Sequence, residues 1–107
     1  MKTIYTLYIG TEYDKNHNYI PKRESHAAIE AIKREAGMMF DGYTMSFTIG
    51  GWNGPDDKPV EEHAIRLEIV TDSLHTGAIK ELAQFAKILL KQESVMLLQQ
   101  VVHFEMI

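Results

Sequence analysis

Apolar and hydroxyl-bearing residues alternate strictly along Tyr43-Thr44-Met45-Ser46-Phe47-Thr48-Ile49. Successive side chains of a strand point to opposite faces, so this pattern predicts a strand with one buried face. Ile65-Arg66-Leu67-Glu68-Ile69 alternates in the same way and predicts a second strand. Ile4-Tyr5-Thr6-Leu7-Tyr8-Ile9 is β-branched and aromatic and predicts a strand near the start of the chain. Between these lie two segments of helical period. Ala28, Ile29, Ile32 and Ala36 predict a helix over residues 27–36, with Ser25 as its N-cap and Gly37 as its left-handed stop. Ile79, Leu82, Ala83, Ala86, Leu89 and Leu90 form the stripe of a second helix, capped by Asp72 or Ser73. Asp14-Lys15-Asn16-His17-Asn18 and Asp41-Gly42 read as turns. Residues 95–106 are apolar except at Gln99, Gln100, His103 and Glu105, and predict a long last strand.

The order is strand-helix-strand-strand-helix-strand. It predicts a ferredoxin-like α+β fold, βαββαβ, with a four-stranded antiparallel sheet and both helices on one face. Met45, Phe47, Ile49, Ile65, Leu67 and Ile69 would then pack under the helices. Tyr8, Thr44, Ser46, Thr48, Arg66 and Glu68 would line the opposite, open face. A chain of 107 residues is expected to be a single domain.

Residues 50–62 break the alternation. Hairpin loops usually run about 2–5 residues, and longer ones tend to be functional or disordered. This stretch holds Gly50, Gly51 and Gly54, the chain's single tryptophan (Trp52), and the carboxylates Asp56, Asp57, Glu61 and Glu62. It is read as a polar loop and as the first candidate for a site.

Composition narrows the chemistry. With 45% apolar and 24% charged residues, the chain has the means to build a core. There is no cysteine, which excludes disulfides, thiolate metal sites and cysteine nucleophiles. A net charge of −4 with no basic run argues against binding a nucleic-acid polymer. No stretch approaches the roughly 20 apolar residues that span a bilayer, and the N-terminus lacks a signal-peptide core, so a cytoplasmic protein without a membrane role is expected.

Several landmarks share an order. Gly10 ends the first strand, Asp41-Gly42-Tyr43-Thr44 opens the second and Gly50-Gly51-Trp52 ends it. Glu62 precedes the third, and Lys91-Gln92-Glu93-Ser94-Val95 opens the last. In this the chain resembles a family of uncharacterised small bacterial proteins, a domain of unknown function with a Gly-x-Trp turn and a Gln-Glu-Ser-Val tail. The resemblance implies the same fold and nominates those positions, and it implies no activity.

Trp52 offers a flat face for stacking and an N–H donor, or else anchors the loop on the core. Glycine amides beside it suit an anion or simply allow a tight loop. The loop carboxylates match no calcium-loop spacing. Gln92 and Glu93 either cap the helix–strand junction with Ser94 or present polar groups beside Gly10-Thr11-Glu12. The five histidines show no zinc spacing, and His63 next to Glu62 is the one acid–base neighbour pair. These residues predict a non-catalytic module holding a small polar, nucleotide-like ligand, with no metal or cofactor. Its contacts would be Trp52, Gly51, Asn53, Glu62, Tyr8, Gln92, Glu93 and Arg66, the last for its bidentate donors. The apolar last strand, at a sheet edge, predicts a homodimer or larger assembly that completes the pocket. One alternative is a protein-interaction module, such as a phage or mobile-element inhibitor. Another is a small enzyme on the open sheet face, using His63, Glu62, Tyr8 or His103.

Overall fold

The structure is a computed structural model that describes residues 2–72 and 75–107. Its elements run β1 (Lys2–Gly10), α1 (Lys22–Met39), β2 (Thr44–Asn53), β3 (Pro59–Thr71), α2 (Thr76–Leu89) and β4 (Met96–Val102). The strands form one antiparallel sheet in the order β2-β3-β1-β4, the ferredoxin-like arrangement that the alternation predicts.

Burial follows from the period of two. On the helix side of the central strands, Tyr5, Leu7, Ile9, Ile65, Leu67 and Ile69 are fully buried. Leu7 pairs with Leu67 on one side and Leu97 on the other, so apolar rows run across the sheet. The helices close over these rows with Ala28, Ile29, Ile32 and Ala36 from α1 and Ile79, Leu82 and Ala86 from α2. Burying Tyr5 requires a partner for its hydroxyl, which accepts the His75 N–H at 2.9 Å just before α2.

Four expectations are corrected. Helix α1 starts at Lys22 with Pro21 as its N-cap, because proline fixes the backbone for a helix start. Ser25 lies inside the first turn and donates its hydroxyl to the Lys22 carbonyl. Gly37 does not stop the helix, which runs on to Met39. Asp72 is separated from α2 by the N-cap His75, and Ser73 lies outside the described residues. Met45 packs on the core, but Phe47 and Ile49 are 76% and 66% exposed. They share the face of Ile65 through the register but belong to the edge strand, of which Met45 is the residue that packs on the core among those described.

The remaining two differences bear on function. Strand β4 ends at Val102, opposite Lys2, short of the residue 106 that its apolar run predicts. Residues 50–62 are no loop: β2 and β3 continue as a two-stranded ribbon, pairing Gly50 with Glu62 through to Asn53 with Pro59. Only Pro55–Asp57 form the turn, with Asp56 and Asp57 at positive φ. The ribbon therefore projects past the end of β1, where Gly10 pairs with Ala64.

Candidate functional site

The projecting ribbon leaves a step in the sheet, and a groove of about 700 Å³ lies in it on the open face. Alternation decides which side chains reach the groove. Tyr8, Gly10, Glu62, Ala64, Thr48, Gly50 and Trp52 share that face by register. Met96 and Leu98 of β4 add an apolar side, and Gln92, Glu93 and Ser94 line the far wall.

The last wall is the β1–α1 connection. Asp14 folds it by accepting the N–H groups of Asn16 and Asn18 on Oδ1, at 2.8 and 3.0 Å. The Asp14 carbonyl takes the His17 N–H at 2.9 Å, and His17 sits at φ 63°. This local turn presents the His17 imidazole to the Trp52 indole. The rings stack with centroids 5.5 Å apart and planes 22° apart.

Glu62 and Gln92 converge in the middle. The Gln92 side-chain amide donates to two carbonyls, Tyr13 at 2.8 Å and Leu90 at 2.9 Å. Two acceptors fix which end of the amide is nitrogen, so Oε1 is left facing Gly10. A methyl group on Gly10 would lie 2.7 Å from that oxygen and 3.2 Å from each Glu62 carboxyl oxygen. Glycine is thus needed at position 10 to keep a small space open between them. Glu62 Oε2 is buried with no hydrogen-bond partner among the described residues. Burial pushes the Glu62 carboxyl above its ordinary range; a main-chain hydrogen bond from Tyr13 opposes this, and the Glu12 charge adds to it. Three oxygens around one gap suit a cation or a group rich in donors.

Trp52, Gly51, Glu62, Tyr8, Gln92 and Glu93 therefore meet at one groove. Arg66 lies on the same face, level with Tyr8 and Ser46 and outside the groove lining, with its guanidinium 3.3 Å from Glu68. Asn53 ends β2 opposite Pro59, also outside the lining. The neighbours Glu62 and His63 do not form an acid–base pair, because adjacent residues in a strand face opposite ways. His63 Nδ1 is 3.3 Å from Glu12 Oε2 instead. His103 follows β4 at the opposite end of the sheet. Sequence reasoning missed His17, Tyr13 and Lys15. The signal was the Asp14-x-Asn16-x-Asn18 spacing, which builds a rigid local turn rather than a passive linker. Among the described residues, no three of His, Asp and Glu come together as metal ligands, and no helix is long and apolar enough to cross a membrane.

Compared by sequence, the chain matches no family model and no curated protein. Its fold is shared by solved structures. A phage SAM lyase in complex with S-methyl-5'-thioadenosine matches at 18% identity and TM-score 0.64, over 92% of this chain and 80% of the other. The periplasmic divalent cation tolerance protein CutA from Archaeoglobus fulgidus matches at 6% identity and TM-score 0.57, over 99% and 88%. A DUF3240 family protein from Shewanella baltica OS155 matches at 8% identity and TM-score 0.56, over 99% and 94%. The likeness to an uncharacterised small-protein family is thus met at the level of fold.

Proposed function

We propose that the groove binds a small adenine nucleoside carrying a sulfonium or thioether, of the S-adenosylmethionine class. The observation that carries this reading is the convergence of Glu62 and Gln92 oxygens beside Gly10, within reach of an aromatic wall. The base would lie against Trp52 and His17, since an indole face stacks on any purine. The oxygens would face the sulfonium or the ribose hydroxyls. The groove's apolar side, Met96 and Leu98, suits the methylthio group. The fold shared with a protein whose ligand is S-methyl-5'-thioadenosine supports this chemical class. The reading entails a cytoplasmic setting, where such metabolites are made.

Calorimetric titration with S-adenosylmethionine and S-methyl-5'-thioadenosine, with ATP as the contrast, tests it. Binding of the first two that disappears in Trp52→Ala is the expected result. Tighter binding of ATP would overturn it.

A second reading is that the groove also breaks a carbon–sulfur bond of the sulfonium and releases the neutral thioether. It is favoured by one observation, the buried Glu62 oxygen with no partner at the place where positive charge would be lost. The leaving sulfur keeps the electron pair of the broken bond, so the charge on it vanishes, while the ligand's own carboxylate forms the new bond to the released carbon and closes it as a lactone. Chromatography for S-methyl-5'-thioadenosine formed from S-adenosylmethionine, by wild type and by Glu62→Gln, decides between binding and turnover.

We further propose that a second copy completes the site. Both edge strands carry uncovered apolar side chains, Phe47 and Ile49 on β2 and Val101 on β4. Arg66 Nε is buried without a partner among the described residues on the open face. Exposed edges of this kind invite pairing.

A further inference from the structure

Two elements from different parts of the fold meet at the aromatic wall of the groove. Trp52 stands on the ribbon, opposite Val60. Its indole runs beside Gly54, where an added methyl would come 3.7 Å from Cη2 and 2.6 Å from Val60 Cγ2. His17 stands at the tip of a miniature hairpin, residues 13–19. Tyr13 and Tyr19 bridge at its base with their rings edge to face, and the Asp14 N–H reaches the Asn18 carbonyl at 2.9 Å. That base is fastened to the end of α2. The Lys15 N–H donates to the Lys91 carbonyl at 2.7 Å, and the Gln92 amide to the Tyr13 carbonyl at 2.8 Å.

The turn itself does not call for an imidazole. Its hydrogen bonds run between the Asp14 side chain and main chain, and the main chain of residues 16–18. The His17 ring meets the Trp52 indole, and no hydrogen-bond or ion-pair partner for it stands among the described residues. Spacing decides what this stack means for the groove. Centroids 5.5 Å apart put the two rings in direct contact. A third flat ring between them would need about 7 Å between the outer planes, two contacts of about 3.5 Å each. The empty groove therefore holds no slot in its aromatic wall.

We propose that His17 closes the groove on itself: its imidazole covers the face of Trp52 that a flat ligand ring needs, and such a ring enters only by parting the two. The closed pair makes His17 a specificity-determining residue. A ligand with a planar base replaces the contact that it breaks, whereas a ligand without one offers the indole nothing in exchange. That the entering ring is adenine rests on the reading of the groove given above; the closed pair does not.

Trp52 is the chain's single tryptophan, so its fluorescence reports on one ring. Caffeine is a purine without ribose, phosphate or sulfur. By stacking on the indole it quenches it, and so reads the access of a flat ring whatever the natural ligand is. The variants are His17→Asn, which removes the ring at an exposed position and suits positive φ, and His17→Phe, which keeps a ring. Caffeine should quench His17→Asn more strongly than wild type by roughly twofold to tenfold, the factor by which an aromatic pair favours contact. His17→Phe should stay near wild type. In stopped flow, S-methyl-5'-thioadenosine should associate faster with His17→Asn by a similar factor; loss of a mere wall would speed dissociation alone. Equal quenching of wild type and His17→Asn overturns the proposal, as does an unaltered association rate. Quenching of His17→Phe as strong as that of His17→Asn also overturns it, by assigning the effect to the turn instead of the ring. Should neither S-adenosylmethionine nor S-methyl-5'-thioadenosine bind while the quenching difference holds, the nucleoside reading falls and the closed pair stands. Nucleoside binding with no difference between the proteins would do the reverse.

Discussion

Glu62 is the residue where folding and function pull in different directions. A carboxyl whose folded value is raised binds its proton more tightly in the native state. Stability is therefore full at low pH and falls as pH rises from the ordinary glutamate range through the raised folded value. Glu62→Gln should melt higher than wild type at pH 7, with the gap closing below about pH 4. Thermal melts across that range check the sign, and a variant less stable than wild type at neutral pH would mean that the carboxylate is needed structurally. On the proposed reading, the same proton would also govern ligand choice. Affinity for S-adenosylmethionine should rise with pH through the Glu62 midpoint, whereas affinity for S-methyl-5'-thioadenosine should not, which calorimetry at several pH values would read. Trp52→Ala should weaken either ligand by roughly tenfold to a hundredfold, the worth of one base–aromatic stack, and barely change the melting temperature. The indole is 38% exposed and rests on His17 rather than on the core. Trp52, Glu62, Gln92 and Glu93 were legible in the sequence as unusual polar or aromatic residues at element boundaries. His17 was not, because nothing local to it says that a turn will carry it across to an indole 35 positions away.

At the scale of elements, the alternation of β2 and β3 and the two helical stripes were enough to give the topology. Boundaries failed where a rule of local composition met a tertiary demand. The glycine-rich polar stretch after Ile49 reads as a loop by content, yet two chains running side by side satisfy their own main-chain groups and stay paired. The start of α1 was missed because the helix opens at Lys22, after Pro21 and with no side-chain cap, so the serine that reads as a cap falls inside its first turn. Gly10 is the element end on which the site depends. Gly10→Ala should abolish ligand binding, since its methyl would fill the gap between Gln92 and Glu62. Gly77→Ala, on α2 away from the groove and with nothing within 4 Å of the added methyl, is the control, and it should bind normally in the same titration. The junction of β1 with α2 offers a test of stability instead. Tyr5→Phe should cost about 1 kcal/mol, read by denaturant unfolding, because it removes the hydroxyl that accepts the His75 N–H.

At the scale of the whole molecule, the helices cover one face of the sheet and leave the other, with both edges, uncovered. The sequence foretold an apolar last strand but overstated its length, since β4 ends at Val102, opposite Lys2. Light scattering should find an oligomer, and Val101→Lys or Phe47→Lys should shift it toward monomer if the edges are the contact. A monomeric wild type that binds ligand with full affinity would remove the second copy from the site.

The two-stranded ribbon of residues 50–62 has a consequence for motion. It lacks the third strand and the helical cover that lend a hairpin independent stability in water. Its amides should therefore exchange with solvent through local opening, well before those of Leu7 or Leu67 in the centre of the sheet. One wall of the groove is then hinged by construction, and a bound nucleoside would slow that exchange. Ligand residence time would depend on how often the ribbon lifts away.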